Sequence, residues 1–382
     1  MLRSKLPDVG TTIFTRMSQL ANEARALNLS QGFPDFAPPP ALLEAIAQVT
    51  RDGNNQYAPM AGVMRLREQI AQQLQLHRRV SADPDTEITV VPGATEGIFC
   101  AVMACAGPGD EVIVLDPCYD SYEPAIRLAG ARAVHVPLLE DSFGVDWERV
   151  AGAITPRTRL LMLNSPHNPT GSVLGASDMA QLADLVERHQ LLLISDEVYE
   201  HLIYDGRQHH SILQYPALRA RSVAVFSFGK TYGVTGWKTG YCVAPAALTA
   251  ELRKVHQFVC FVAVTPVQEA LADFMAAEPE YPASLAAFYQ AKRDLLCQAL
   301  QPSAFRVKPS AGTYFQLLEY SALTRREDVA VAEDWTRAHK VASIPVSVFY
   351  ERPPQAYYLR LCFAKRDDNL LEAADRLCRI SL

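Results

Sequence analysis

From Thr86 to Val243 the chain alternates short apolar runs with longer stretches whose apolar residues recur at helical spacing. The runs are Glu87–Val91, Glu111–Leu115, Arg159–Leu163, Leu191–Ile194, Val223–Ser227 and Gly240–Val243. A strand that is apolar at nearly every position has both faces covered. Strands of that kind, separated by amphipathic helices, make a mostly parallel sheet with helices on both faces. Helices are predicted over Thr95–Ala106 and Ala176–His189, the second with Ser177 and Asp178 near its start. After Pro279-Glu-Tyr-Pro282 the pattern changes to a long helix (Leu285–Leu300), short strands near Arg306 and over Thr313–Leu318 and Tyr357–Phe363, and a closing helix. The reading is an α/β unit followed by a smaller α+β domain. Pro38-Pro39-Pro40 stiffens the N-terminal segment into an extended connection.

With 382 residues, 49% of them hydrophobic and 20% charged, the chain can bury a large core and form two domains. A formal net charge of −6 gives no basic footprint for nucleic acid and points to small metabolites instead. The start has no apolar signal core and no run is long enough to span a bilayer, so a cytoplasmic location is expected. Eight cysteines lie mostly inside apolar runs, without a Cys-x-x-Cys pair or metal-ligand spacing to the nine histidines; they are read as reduced core thiols, and no metal is expected. His209-His210 is read as a pair of surface histidines.

Ligands of such sheets bind beyond the carboxyl ends of the strands, and those positions are polar here. Pro92-Gly-Ala-Thr-Glu-Gly97 opens a helix whose free N–H groups at Ala94 and Thr95, with the Thr95 hydroxyl, suit a phosphate; an ordinary N-cap at Thr95 is the other reading. In Asp116-Pro-Cys-Tyr-Asp-Ser-Tyr122, Tyr119 could stack on a planar heterocycle or simply pack in the core. Asn164-Ser-Pro-His-Asn-Pro-Thr-Gly171 leaves the Asn168 amide free to donate to a phenolate, which a structural turn alone does not require. Ser195-Asp-Glu-Val-Tyr199 brings a carboxylate out of an apolar strand, so Asp196 needs either a protonated ring nitrogen as partner or a role as helix N-cap. The run Ser227-Phe-Gly-Lys-Thr-Tyr-Gly-Val-Thr-Gly-Trp-Lys-Thr-Gly240 sets Lys230 and Lys238 in a glycine-punctuated turn, where a desolvated lysine can form a Schiff base and a second can face a phosphate. Two solvated loop lysines are the bland alternative. One ligand uses all of these groups together. Pyridoxal 5′-phosphate offers an aldehyde to Lys230, a ring nitrogen to Asp196, a phenolic oxygen to Asn168 and Tyr199, a flat ring to Tyr119, and a phosphate to Ala94, Thr95, Ser227 and Lys238.

In their order and spacing, Asn164–Gly171, Ser195–Tyr199 and Ser227–Lys230 resemble the cofactor signatures of the class I/II aminotransferases of fold type I, and the resemblance covers essentially the whole chain. It implies a fold type I pyridoxal-phosphate transferase with residues 1–45 as N-terminal arm and part of the small domain, 46–280 as the large domain and 281–382 as the small one. It also implies a homodimer with shared active sites. Lys238 stands where most of the family has arginine. That departure, with Gln56-Tyr-Ala-Pro-Met60 and Arg360-Leu-Cys-Phe-Ala-Lys365, resembles the subgroup of kynurenine/glutamine transaminases and bacterial methionine aminotransferases. By the same matching Tyr57 reaches the neighbouring subunit's phosphate, Arg360 clamps the substrate carboxylate, and Gly32 contacts that carboxylate through its backbone. Lys230 then serves as covalent anchor and proton shuttle. Ile13, Phe14, Phe261, Tyr314 and Phe349 are expected near the cofactor and imply an uncharged amino acid as donor, methionine first, then aromatic, glutamine or kynurenine-like ones, with a 2-oxo acid as acceptor. A cysteine-conjugate β-lyase side activity and a non-catalytic ligand-sensing domain are the alternatives.

Overall fold

The computed structural model describes residues 4–381. Seven strands form the central sheet: β1 (Ile88–Val91), β2 (Glu111–Asp116), β3 (Arg132–Pro137), β4 (Thr158–Asn164), β5 (Leu192–Asp196), β6 (Ser222–Ser227) and β7 (Gly240–Val243). Their order is β1-β7-β6-β5-β4-β2-β3. All neighbouring pairs are parallel except those of β7, which runs antiparallel to both β1 and β6.

Because side chains alternate across a strand, each strand feeds two cores. Val112 and Val114 of β2, with Leu160, Met162 and Ile194, face the helices Ala94–Cys105 and Ala246–Val259. Ile113 and Leu115, with Leu161, Leu163 and Leu193, face the helices Met64–Arg78, Ala176–His189 and Thr265–Ala277. This two-sided burial made the runs legible. The edge strand β3 was not among them, because it is covered on few sides and mixes exposed Arg132 with half-buried Ala133, Val134 and His135.

The second unit has its own antiparallel sheet, β10-β11-β9-β8, from β8 (Arg306–Val307), β9 (Phe315–Glu319), β10 (Ile344–Pro345) and β11 (Tyr358–Cys362). The helices Tyr281–Ala299 and Asp367–Cys378 cover it. Met17 and Leu20 of the helix Ile13–Ala24 enter the same core, and Leu27–Asn28 pairs with Val341–Ala342, so the chain's start is built into this unit. The helix Pro40–Arg51 crosses the expected boundary at residue 45 without a break; its Leu42 and Val49 already belong to the large core.

Three local expectations change. Lys230 sits on a short helix, Phe228–Thr231, that follows β6 directly, and not in an open turn. No helix starts at Asp196; its Oδ1 accepts from the Val198 N–H at 3.2 Å. His209 is buried, with Nε2 2.7 Å from the Glu197 carboxylate, because the polypeptide after β5 folds back over that carboxylate. All eight cysteines are free, five of them buried.

Gly240 starts β7 where nothing larger fits: a Cβ there would lie 2.4 Å from the Phe226 carbonyl oxygen and 3.1 Å from the Ala94 nitrogen. Gly240→Ala should therefore lower unfolding stability by about 2 kcal/mol, read as a lower denaturant midpoint against the parent chain.

Candidate active site

The strand ends and the small unit enclose a cavity of about 350 Å³. At its floor, Asp196 ends β5. Its Oδ2 accepts from the Tyr122 hydroxyl at 2.6 Å. Burial lifts its carboxyl from 3.8 to about 6, against the opposing pull of the Tyr122 and Val198 hydrogen bonds and the Lys230 charge. Asn164, at the end of β4, donates to the Asp196 carbonyl at 2.9 Å and accepts the Asn168 N–H at 2.7 Å, which ties two of the site's loops together.

Lys230 reaches into the cavity from the short helix after β6. Its Nζ donates to the Gly32 carbonyl at 3.2 Å and to the Tyr314 hydroxyl at 2.9 Å. Desolvation brings its pKa from 10.5 down to about 8, and the Lys238 and Arg360 charges act in the same direction. An amine of that kind is partly neutral near physiological pH and is a competent nucleophile.

One end of the cavity is a cradle for an anion. The helix Ala94–Cys105 presents its unpaired N–H groups there, and Ser227, Thr235, Lys238 and Thr239 line the same end. Gly93 makes the approach possible. Its φ is +78°, and a Cβ on it would lie 3.3 Å from the Lys238 ammonium.

The opposite end holds Arg360, which is 1% exposed. It donates to Asn168 Oδ1 at 2.6 Å and to the Ser30 carbonyl at 3.1 Å. Its guanidinium lies 3.9 Å from the Phe315 ring centre and 5.3 Å from that of Phe14. Nε has no partner, and no carboxylate pairs with the group among the described residues. A buried guanidinium facing a cavity with a donor to spare can receive a carboxylate.

The predicted residues Gly32, Ala94, Thr95, Tyr119, Asn168, Asp196, Tyr199, Ser227, Lys230, Lys238, Arg360 and Phe14 thus converge on one cavity. Tyr57 and Phe261 do not. They pack on each other at the outer surface, ring centres 5.5 Å apart, and Tyr57 is 84% exposed. Ile13 and Phe349 line a neighbouring groove that shares Tyr119. Tyr314, expected as apolar wall, instead turns its hydroxyl to Lys230. Tyr122 was missed as the partner of Asp196, although it stands three residues after Tyr119 in the same motif. Spacing also hid a cluster of Glu96, Cys100 and His256, distant in sequence; its donors already bond each other, Glu96 Oε1 taking Cys100 Sγ at 3.0 Å and His256 Nδ1 at 2.7 Å.

The aminotransferase class I and II family model matches residues 24–377. The chain belongs to that family. It is an aminotransferase. It is 50% identical over 375 residues to methionine aminotransferase of Escherichia coli, covering 98% of this chain and 97% of that one. A solved Escherichia coli structure described as having a methionine aminotransferase function superposes with a TM-score of 0.97 at 50% identity, covering 99% of both chains. N-succinyldiaminopimelate aminotransferase of Mycobacterium tuberculosis superposes with a TM-score of 0.96 at 39% identity, over 100% of both chains.

The shift of Asp196 gives the aminotransferase a testable signature in its ligand-free form. Between 3.8 and about 6 the folded state holds a proton that the unfolded state has released, so stability falls as pH rises through that window. Asp196→Asn should flatten this part of the stability profile, measured by denaturant unfolding at a series of pH values; an unchanged slope would show that Asp196 is not the group responsible.

Proposed function

We propose that this aminotransferase uses pyridoxal 5′-phosphate to move the amino group of an uncharged L-amino acid, methionine foremost, to a 2-oxo acid. The observation that carries the substrate class is the inventory of charge in the cavity. Lys230, Lys238 and Arg360 are the only cations lining it among the described residues, and each has another task, so nothing is left to pair a side-chain carboxylate. Phe14, Tyr119, Val198 and Phe315 offer apolar contact. The likeness to methionine aminotransferase supports the same reading.

The residues fit the cofactor group by group. Lys238, Ser227 and the N–H groups of Ala94 and Thr95 would hold its phosphate, Asp196 its ring-nitrogen proton, Asn168 and Tyr199 its phenolic oxygen, Tyr119 its ring face, and Lys230 its aldehyde. With Asn168 Oδ1 taken by Arg360, the Asn168 amide nitrogen is the end left to donate. When bound, the cofactor supplies a protonated ring that accepts the electron pair left on the substrate carbon after its proton departs. Asp196 keeps that ring nitrogen protonated. Arg360 and the Gly32 backbone fix the carboxylate, which orients the bond to be broken. Lys230, whose Nζ faces the cavity, would take the Cα proton as general base and return it as general acid.

The enzyme is proposed to be a homodimer in which Tyr57 and Phe261 complete the partner's site. Phe258, 89% exposed, and Val264, 57% exposed, are close to Phe261 in the sequence, and exposed apolar side chains in such number are of the kind that partners cover. Free thiols throughout fit a reducing compartment such as the cytoplasm. The proposed division of the chain is an N-terminal arm over residues 1–39, a large unit running from the start of the helix Pro40–Arg51 to residue 280, and a small unit over residues 281–382.

A panel of amino donors with several 2-oxo acids should give kcat/KM at least about tenfold higher for L-methionine than for L-aspartate; faster aspartate turnover would end the substrate reading. Lys230→Ala should lose both turnover and the borohydride-fixed cofactor adduct in the protein mass. Arg360→Leu should cost about 10²-fold in kcat/KM for methionine.

A further inference from the structure

Lys365 is 4% exposed, yet no carboxylate pairs with its ammonium among the described residues. Burying such a charge is costly unless other polar groups take up its protons. Here backbone carbonyls do so: Nζ donates to Phe33 O at 2.7 Å and reaches Gln31 O at 3.5 Å, with the Phe33 ring centre 4.7 Å away. The two carbonyls flank Gly32.

Their neighbours are held as well. Leu29 O accepts the Cys362 N–H at 2.7 Å, Ser30 O accepts Arg360 at 3.1 Å, and Gly32 O accepts Lys230 at 3.2 Å together with the Tyr314 hydroxyl. Every carbonyl from Leu29 to Phe33 therefore receives a donor from outside the segment. Gly32 leaves no slack, since a Cβ on it would lie 2.8 Å from the Phe315 ring. Lys365 is itself anchored, its carbonyl taking Lys292 Nζ at 2.9 Å.

These bonds differ in what ligand binding does to them. A substrate carboxylate arriving at Arg360 competes for the guanidinium that holds Ser30, whereas it does not touch Lys365. We propose that Lys365 is a positioning residue of the transamination site: it pins the carbonyls on either side of Gly32, so that the Gly32 peptide stays in register with Arg360 and Lys230 while Arg360 turns from Ser30 to the substrate. The proposal rests on the reading of Arg360 as carboxylate clamp.

Lys365→Met leaves the side chain unbranched and one atom shorter and removes its donors. In the ligand-free full chain, amides of residues 29–33 should exchange with deuterium about tenfold faster while other segments are unaltered. In the cofactor-loaded enzyme kcat/KM for L-methionine should fall about tenfold, chiefly through KM. The loss with 3-methylthiopropylamine, the same molecule without its carboxylate, should stay within about threefold. Unaltered exchange in the segment, or equal losses with methionine and the amine, would overturn the proposal. If Lys365→Met does not fold, Lys365→Gln, which retains one donor group, is judged by the same two criteria. The exchange result does not depend on Arg360, and Arg360→Leu tests the clamp reading separately.

Discussion

Arg360 brings a positive charge to the boundary between the small unit's core and the sheet edge, with no carboxylate among the described residues paired to it. That charge is satisfied by Asn168 Oδ1, by the Ser30 carbonyl and by the faces of Phe315 and Phe14. These partners come from the loop after β4, the N-terminal segment and a small-unit strand, so the guanidinium ties the three together. The chain's first helix, which carries Phe14, is held in the small unit by Met17 and Leu20 in its core. The same desolvation acts in opposite senses on Asp196, raised to about 6, and Lys230, lowered to about 8, because burial disfavours whichever form is charged. The site is thus assembled from groups that are each short of a counter-charge.

Sheet topology explains why these groups meet. Parallel strands deliver their carboxyl ends to one edge, which brings the loops after β1, β2, β4, β5 and β6 together. Strand β7 runs the other way and so begins at that edge, Gly240 lying opposite both Val91 and Ser227. Lys238, two residues earlier, is thereby carried to the helix N-terminus after Gly93. A parallel β7 would have ended there and left the cradle without its lysine.

Much of this was legible in the chain. Strands buried on both faces announce themselves as apolar runs, and a polar residue at the end of such a run stands out; Asp196, Asn168 and Lys230 were found in that way. What stayed hidden follows from the same logic. Strand β3 lies at the edge, where only part of a strand needs to be apolar. Tyr122 and Tyr314 are amphipathic, and their apolar bodies fit a core reading equally well until the partner of each hydroxyl is known. His209 and Lys365 resemble surface residues because the groups that satisfy them, Glu197 and the carbonyls around Gly32, are brought in by the fold and not by local spacing. Tyr57 and Phe261 were placed by resemblance, and one chain leaves them at its surface.

Specificity in such a site comes more from what is missing than from what is present. Apolar walls separate side chains weakly, since a methylene is worth about 1–3 kcal/mol, so contacts with Phe14 and Phe315 admit a range of neutral substrates. Excluding an acidic side chain is a stronger effect, because a carboxylate carried into the cavity without a cation would bear the cost of an unpaired buried charge. With Lys238, Arg360 and Lys230 assigned to the phosphate, the α-carboxylate and the reacting centre in the proposed function, the described residues lining the cavity provide no further cation. On the proposed assignment, the arrangement that would fix the common part of every amino acid also leaves an acidic side chain without a cation.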